Sequence, residues 1–554
     1  MYTQKIQNLI ISSINNRYPN INIQSLGKDG LLVQKSPDSI DSDYGSSVAL
    51  RLAKFVKKSP MDIADVLYKY LKDTKPDFID DIKIINPGYL NFSINKKHIS
   101  SNIKNLALNS NNLDKLFNKK NTNIQIEFVS ANPTGPLHVG HIRGAVYGST
   151  LSKILNYYGF NVKNEYYVND AGNQIKEFGI SILNQMPNIK LKRKINSNED
   201  SYKGAYISDL AHSIQNEIAT HEINEDEIID NVTQIGVQKM LGIIKQDLNN
   251  LNVNFDHWFH ETQLFSDKTL DKVLKLLSDK KLILKKDGAT WFLSKKLGDE
   301  RDNVLIKKDL SHTYFFSDIA NHYNKFCIRN FDKVINIWGA DHQGHIKRTK
   351  LAMESLGVKS ENLEIKISQM VTIKKGRENV KISKRSGEYV TLNEIVTEVG
   401  SDACRYFFLS RTPDSQLTFD IELAKSQNAN NPIYYIQYAH ARLTNLIENA
   451  NKLNIDLNES SEIHIESDKE ISIAKKILEF PDIIEQIAKD LEPHHIARYC
   501  LELASDFHSY YQSEKIIDES EIEKTVSKIL LSKAILNTIK KCLDLMMISS
   551  PKNM

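Results

Sequence analysis

The sequence predicts a multidomain α/β protein with a central parallel-sheet domain, a small α/β domain before it and an all-helical domain after it. Three observations predict this fold class. The chain has 554 residues, which is too many for a single hydrophobic core. A strand, a turn, a helix and a second strand follow one another between residues 124 and 168, which is the order of a parallel βαβ unit. Beyond residue 421 the apolar residues recur at helical spacing.

Composition excludes several classes of protein. With 41% apolar residues the chain is not disordered, and 72 Lys+Arg against 69 Asp+Glu exclude nucleic-acid binding through a global positive field, though not through a local basic surface. No C-x-x-C pair occurs among the four cysteines, so we expect no structural zinc and no disulfide framework. No membrane span or signal peptide is recognisable, and we expect a cytoplasmic protein.

Residues 1–108 are predicted as the small α/β domain. Helical periodicity runs from Ser47 to Val56 and restarts after Pro60. A strand pair follows around the turn Pro87-Gly88, because Leu90 to Ile94 alternates between apolar and polar residues. The Asn/Lys-rich stretch from 109 to 123 has no strong apolar pattern and is typical of a linker.

Residues 122–420 are predicted as the central domain, and residues 421–554 as the helical one. The expected elements of the central domain are a strand at Ile124–Val129, a helix from about His138, a strand at Asn164–Val168, a helical insertion over about 176–297, and further strands near Thr313–Phe316 and Val334–Gly339. In the last domain Pro432, Pro481 and Pro493 are expected to mark helix starts or breaks.

The strongest chemical signal is His138-Val139-Gly140-His141, at a helix start directly after a strand and a Pro-Thr-Gly-Pro turn. The first turn of a helix offers unpaired N–H groups and a positive dipole end to phosphates. Gly140 lets an adenine ring approach the backbone, and two imidazoles on one face can donate to phosphate oxygens. Two histidines that merely cap a helix are the alternative, and the motif alone leaves both open.

A second signal is the loop Lys381-Ile382-Ser383-Lys384-Arg385-Ser386-Gly387. Its cations, hydroxyls and glycine suit a mobile loop that neutralises the charge developing on departing pyrophosphate. Taken alone, such a stretch is more often a solvated surface loop. Together with the histidine motif on a βαβ unit it is much more specific.

These motifs resemble the "HIGH" and "KMSKS" motifs of class I aminoacyl-tRNA synthetases, with Ile382 for Met and Arg385 for the last Ser. Longer sequence segments narrow the resemblance to the arginyl-tRNA synthetases. This resemblance covers essentially the whole chain. The segments are Glu127 to Leu137 (EFVSANPTGPL), Tyr167 to Ile175 (YVNDAGNQI), Thr313 to Ala320 (TYFFSDIA) and Asn431 to Arg442 (NPIYYIQYAHAR).

The resemblance implies a Rossmann-type catalytic domain, an N-terminal domain that contacts tRNA and a C-terminal anticodon-binding bundle. It also implies the arginine-binding residues Glu127, Asn132, His141, Tyr314, Asp318 and His342. The residues themselves support part of this set, because a guanidinium needs carboxylate partners and Tyr314 and Asp318 share a face if their segment is helical. Whether His342 or Gln343 contacts the amino acid stays open, and a plain polar turn is the alternative.

The two motifs and the turn after Trp338 predict the residues that bind the nucleotide. We expect ATP to be bound by His138, Gly140, His141, Gly339, Asp341, Ser383 and Lys384. Gly339 permits close approach of adenosine and Asp341 offers an acceptor to a ribose hydroxyl. The catalytic residues are then His138, His141, Lys381 and Lys384, which act on the phosphates and on the transition state.

RNA recognition favours unpaired bases stacked on aromatic rings, and the helical domain offers Tyr438 and Arg442, with Met554 at the chain end. Tyrosines at helical spacing are more often core residues, which is the alternative.

The resulting expectation is a monomeric ligase that activates L-arginine with ATP, supplied with Mg2+, and transfers it to tRNA(Arg). The rivals are a synthetase for another amino acid, a small-metabolite nucleotidyltransferase and a catalytically inactive paralogue that binds RNA.

Overall fold

The computed structural model describes residues 2–27, 31, 33–37, 39–186, 202–217, 225–376, 378–380, 390–453, 455, 457 and 463–554. The predicted mobile loop from Lys381 to Gly387, with the candidate site residues Lys381, Ser383 and Lys384, lies outside the described residues. Among those described, no helix combines the length and the apolar character that a bilayer crossing requires.

The first part of the chain forms an antiparallel sheet of strand order β1-β2-β4-β3, covered by helices. Its elements are α1 (Tyr2–Arg17), β1 (Val33–Lys35), β2 (Tyr44–Ser46), α2 (Val48–Val56), α3 (Pro60–Asp73), β3 (Ile79–Ile85), β4 (Tyr89–Ile94), α4 (Lys96–Leu108) and α5 (Asn111–Asp114). Helix α3 starts at Pro60 because the Ser59 hydroxyl accepts the Asp62 N–H at 3.1 Å. The segment expected to be a linker contains α5, whose Leu113 is buried.

The central part is built on a five-stranded sheet of order β12-β11-β5-β6-β7, in which every pair is parallel, as predicted. Its elements are β5 (Asn123–Glu127), α6 (Val139–Tyr157), β6 (Asn161–Val168), α7 (Asn173–Leu183), α8 (Ala205–Ile214), α9 (Glu225–Asn250), β7 (His257–His260), α10 (Thr262–Ser266), α11 (Thr269–Asp279), β8 (Ile283–Lys286), β9 (Ala289–Phe292), β10 (Asn303–Ile306), α12 (Tyr314–Tyr323), β11 (Lys333–Gly339), α13 (Ile346–Ser355), β12 (Leu363–Ser368), β13 (Val371–Lys375), β14 (Glu378–Val380), α14 (Leu392–Val399), α15 (Ser401–Leu409) and β15 (Leu417–Asp420). A π-helical turn, Asn324–Ile328, continues α12.

Strand β5 is the point where the strand order reverses, since the chain moves from β5 to β6 on one side and later returns to β11 on the other. Ligands of such sheets bind outside the carboxyl ends of the strands at this point. Helix α6 covers β5 closely, because a Cβ at Gly148 would lie 2.3 Å from the Phe128 ring. The start of α6 is therefore placed at the mouth of the sheet.

Two segments differ from the prediction. Thr313–Phe316 is the start of α12 and not a strand: the Thr313 hydroxyl caps the helix by accepting the Phe316 N–H at 3.3 Å. The expected helical insertion over 176–297 also contains three strands. One of them, β7, is an edge strand of the central sheet, with Trp258 stacked on Tyr166 at 4.4 Å between ring centroids. Four residues are too few to show a strand period in the sequence.

The last part is helical in the described residues, as predicted. Its elements are α16 (Ile421–Lys425), α17 (Pro432–Lys452), α18 (Asp468–Asp490), α19 (His494–Ser513) and α20 (Ile522–Leu545). Pro432 occupies the first turn of α17 and Pro493 caps α19, whereas Pro481 lies inside α18 and does not end it.

Candidate active site

Four carboxylates surround the partly buried side chain of Tyr167 on β6. Glu127 ends β5, Asp170 follows β6, Glu261 follows β7 and Asp318 lies in the second turn of α12. Burial, and then the negative charges of Glu261, Glu127, Asp318 and Asp170, raise the pKa of Tyr167 well above its ordinary value. The carboxyl ends of the strands thus form an acidic site, which suits a cationic ligand.

Glu127 lies at the end of β5, where the sequence predicted it, but a buried lysine of the protein already neutralises its charge. Its carboxylate pairs with the ammonium of Lys325, which has no exposed side-chain surface and also lies 3.6 Å from Glu165. The Ser130 hydroxyl donates to Glu127 at 3.2 Å. Because Glu127 ends β5 and Lys325 lies on the π-helical turn that continues α12, the pair fixes this end of α12 against the sheet.

Tyr314 and Asp318 lie one turn apart on α12, so the helical condition set by the sequence is met. The Tyr314 side chain is 58% exposed and available to a ligand. Asp318 accepts hydrogen bonds from Thr349 at 3.1 Å and from His322 at 3.2 Å. Burial raises the pKa of Asp318, but His322, Lys325 and Thr349 outweigh it and hold the pKa below its ordinary value.

The sequence analysis missed two of the four acidic residues, Glu261 and Asp170. Burial raises the pKa of Glu261, and hydrogen bonds from Ser317 and Tyr167 oppose this rise only in part. Asp170 accepts from His260 Nδ1 at 2.7 Å. Glu261 is the first residue after β7 and Asp170 the second after β6. Their position at the carboxyl ends of strands is the sequence signal that could have identified them.

Asn132 lies on the loop after β5, exposed, and its amide donates to Gln174 at 2.8 Å. The loop leaves the strand through two residues in the left-handed region, Val129 with φ 68° and Ser130 with φ 40°. Such strain persists only where the surroundings impose it, and it is frequent at functional sites. Here the Ser130 hydroxyl accepts the Tyr167 N–H at 3.1 Å, which secures the turn.

His138 and His141 stand at the start of α6 with ring centroids 3.9 Å apart. His138 is the N-cap, and its Nδ1 accepts the Gly140 N–H, while His141 Nδ1 accepts the His138 N–H, both at 3.1 Å. Each neutral ring therefore carries its proton on Nε2. The expectation of unpaired N–H groups is wrong: Val139 N–H donates to Val390 and His141 N–H to the His138 carbonyl.

The described chain just after the second motif lies against the start of the first. His138 pairs with Thr391 in an antiparallel bridge, and the Leu392 N–H donates to Leu137 at 2.8 Å. The described residues from Val390 onward therefore lie beside the first residue of the histidine motif. Thr391 and Glu394 form a capping box that starts α14 there.

Gly339 and Asp341 lie at the carboxyl end of β11, next to β5, and both are exposed. His342 and Gln343 follow in an exposed 3-10 turn, Ala340–His345. The His342 ring lies 6.0 Å from that of Trp338 and its Nε2 lies 3.6 Å from Asp341. The choice between His342 and Gln343 stays open.

A second cluster lies far along the chain, on α17 and α19. Tyr438 is stacked on His508 at 5.8 Å, and the Arg442 guanidinium lies over the rings of Tyr438 at 4.5 Å and Tyr511 at 4.8 Å. We call these four residues the aromatic–cation patch. Met554, the last residue, is 50% exposed.

Three family models match the chain in succession. Residues 4–94 match the arginyl tRNA synthetase N terminal domain, residues 102–449 the catalytic domain of class I tRNA synthetases (R), and residues 436–554 the DALR anticodon binding domain. Curated relatives include the arginine–tRNA ligases of Dehalococcoides mccartyi strain BAV1, 40% identical over 92% of either chain, and of Bacillus subtilis strain 168, 38% identical over 95% of this chain and 94% of that one.

Solved structures give the same result. A putative arginyl-tRNA synthetase from Campylobacter jejuni is 34% identical, with a TM-score of 0.75 over 83% of this chain and 100% of that one. The Thermus thermophilus arginyl-tRNA synthetase has the same fold over the full length of both chains, with a TM-score of 0.79 at 20% identity. Nothing in these comparisons favours a synthetase for another amino acid or an inactive paralogue.

Proposed function

The chain belongs to the arginyl-tRNA synthetase family, and we propose which of its residues bind arginine, ATP and tRNA. It is a class I arginine–tRNA ligase, which activates arginine with ATP and charges tRNA with it. The observation that carries the proposed arginine pocket is the group of four carboxylates around Tyr167.

In the proposed pocket the guanidinium pairs with Asp318 and Glu261, because planar N–H pairs fit carboxylates in fork geometry. The exposed ring of Tyr314 covers the side chain of the amino acid. Asn132, His141 and either His342 or Gln343 contact the α-amino and carboxylate groups. Glu127 stabilises the pocket from the strand end, paired with Lys325.

ATP, as its magnesium complex, is proposed to lie over the start of α6. The Nε2–H groups of His138 and His141 donate to phosphate oxygens, aided by the positive end of the helix dipole. Gly140, Gly339 and Asp341 border the adenosine. Lys381, Ser383 and Lys384 are proposed to act on the phosphates, which is supported by the position of Thr391, a few residues later in the chain, beside His138.

The reaction needs little covalent chemistry from the protein. A carboxylate oxygen of arginine attacks the α-phosphorus of ATP, the bond from that phosphorus to the β-phosphate oxygen breaks, and pyrophosphate leaves. A ribose hydroxyl of the terminal adenosine of tRNA then attacks the acyl carbon, and AMP leaves. Positioning and charge stabilisation supply most of the rate.

For tRNA we propose the aromatic–cation patch and Met554 as the anticodon end of the interface, and residues 1–108 as a second contact. The proposed domains remain 1–108, 122–420 and 421–554. We also propose that the enzyme acts as a cytoplasmic monomer.

Arginine-dependent exchange of pyrophosphate into ATP, with and without cognate tRNA, tests the activity. The substitution Asp318→Asn tests the pocket: we expect the KM for arginine to rise by about 100-fold or more, because a charge-assisted fork is lost. Asp279→Asn, at the exposed end of α11 and outside the proposed site, is the matched control, whose arginine KM is expected to stay unchanged. An unchanged arginine KM in Asp318→Asn would refute the pocket.

A further inference from the structure

Asp318 is connected to the buried Lys325 through two other side chains. The Lys325 ammonium lies 3.5 Å from the Asn336 Oδ1, and the Asn336 Nδ2 lies 2.6 Å from the His322 Nε2. The His322 Nδ1 in turn donates to the Asp318 backbone carbonyl at 2.7 Å and lies 3.2 Å from its Oδ1. Lys325, Asn336 and His322 are all buried. We call these three residues the relay.

The relay determines the tautomer of His322. An ammonium has only donors, so Lys325 requires the Asn336 amide to turn its oxygen toward it. The amide then presents its NH₂ group to His322 Nε2, which must accept. His322 is therefore neutral, with its proton on Nδ1, where a carbonyl oxygen can only accept.

A neutral His322 places an N–H, but no positive charge, 3.2 Å from the Asp318 carboxylate. It therefore does not compete with a guanidinium for that carboxylate. A protonated His322 would instead form an ion pair with Asp318 inside a buried site and would compete with the substrate.

We propose that Lys325 and Asn336 are positioning residues for arginine recognition: they keep His322 neutral and thereby prevent it from forming an ion pair with Asp318. The proposal rests on the proposed role of Asp318 as the guanidinium partner. Neither residue touches the substrate in this arrangement. Their effect reaches arginine through the charge state of one histidine.

Other charged groups lie near Asp318. The cations are Lys325 on the π-helical turn after α12 and Arg348 on α13, with His345 at the start of α13. The carboxylates are Glu127, Glu261 and Asp170, which share the Tyr167 site with Asp318. The cations oppose protonation of His322, whereas Asp318 and the other carboxylates favour it. Removing Lys325, or adding a carboxylate at position 336, shifts this balance toward a protonated His322.

The test is the pH profile of the arginine KM in pyrophosphate exchange, with cognate tRNA present, between pH 6.5 and 8.5. In Asn336→Asp the new carboxylate accepts from both Lys325 and His322, so the variant keeps Lys325 paired and is suited to fold. We expect its KM to rise at least about tenfold as the pH falls across this range, since one titrating group changes affinity tenfold per pH unit. The kcat is expected to stay within about twofold, because saturating arginine displaces the His322–Asp318 pair.

Lys325→Met is the second variant, and we expect its arginine KM to depend on pH in the same way. Lys325→Arg is its control: it keeps the positive charge, so its KM should not depend on pH. Adding His322→Asn to Asn336→Asp removes the titrating ring, and the dependence on pH should vanish. If the KM of Asn336→Asp and of Lys325→Met stays flat while Asp318→Asn has lost arginine binding, the relay is refuted and the pocket stands. If Asp318→Asn binds arginine normally, the pocket itself is refuted.

Discussion

Thr391 pairs with His138 in an isolated antiparallel bridge, although 252 residues lie between them in the chain. The bridge places Thr391, and with it the start of α14, at the N-cap of α6. The N–H groups of this helix start are already bonded, so the charge that neutralises the phosphates has to come from side chains. We expect His138 and His141, together with Lys381 and Lys384, to provide it.

The first prediction concerns Lys384. If it stabilises departing pyrophosphate only in the transition state, Lys384→Ala should lower kcat by about 100- to 1,000-fold and leave the KM for ATP within about threefold. Pyrophosphate exchange at varied ATP measures both constants. Lys375→Ala is the control, since Lys375 is exposed on the neighbouring strand and paired with Glu398 at 3.0 Å. A defect confined to the KM for ATP would contradict this role.

The second prediction concerns Gly140. A Cβ there would lie 2.8 Å from Cε1 and 3.0 Å from Nδ1 of His138, so the capping ring has to move. We expect Gly140→Ala to raise the KM for ATP about tenfold or more, because the displaced His138 ring can no longer donate to the phosphates from its place. Gly144→Ala, whose Cβ would meet its nearest atom only at 4.0 Å, is the control. Equal ATP constants in the two variants would argue against a nucleotide at this helix start.

The sequence predicted the parallel sheet and the position of α6 because the βαβ spacing is local. It also placed Glu127 at the mouth of the sheet. It did not predict that Val390 bonds the Val139 N–H, or that Lys325 neutralises Glu127, since both partners lie far along the chain. Glu261 was missed because the strand before it has only four residues. Local periodicity reveals elements, whereas the charge balance of a site depends on pairs that only the fold brings together.

The third prediction concerns Asp247, a buried carboxyl on α9. Burial raises its pKa to about 6, above the ordinary value of 3.8, so the folded state holds its proton more tightly than the unfolded one. Stability from this group is present below pH 3.8 and is lost as the pH rises toward 6. Asp247→Asn should therefore raise the free energy of unfolding by about 1–3 kcal/mol at pH 7.5 and leave it unchanged near pH 3.5.

Urea unfolding of Asp247→Asn at several pH values measures this difference. Asp230→Asn, an exposed acid on the same helix, is the matched control and should show no such pH-dependent gain. A gain of the same size at both ends of the pH range would mean that the amide stabilises α9 by another route.

The last prediction concerns the aromatic–cation patch. Tyr438 lies between the Tyr434 ring, stacked at 6.2 Å, and the Arg442 guanidinium, whose Nη2 donates to its hydroxyl at 2.6 Å. A flat ring beside a cation suits an unpaired base, and such stacking contributes about 1–3 kcal/mol per base. Tyr438→Ala should therefore raise the KM for tRNA by about 5- to 100-fold, with kcat at saturating tRNA unchanged.

Tyr438→Phe separates stacking from the hydroxyl contact, because it keeps the ring and loses only the bond from Arg442. We expect its KM for tRNA to stay within about threefold of the unchanged enzyme if stacking dominates. Aminoacylation at varied tRNA gives both constants, and thermal unfolding checks that the helical bundle is intact. If Tyr438→Ala charges tRNA with an unchanged KM while remaining folded, then Tyr438 packs only against α19, and the anticodon lies elsewhere on the bundle.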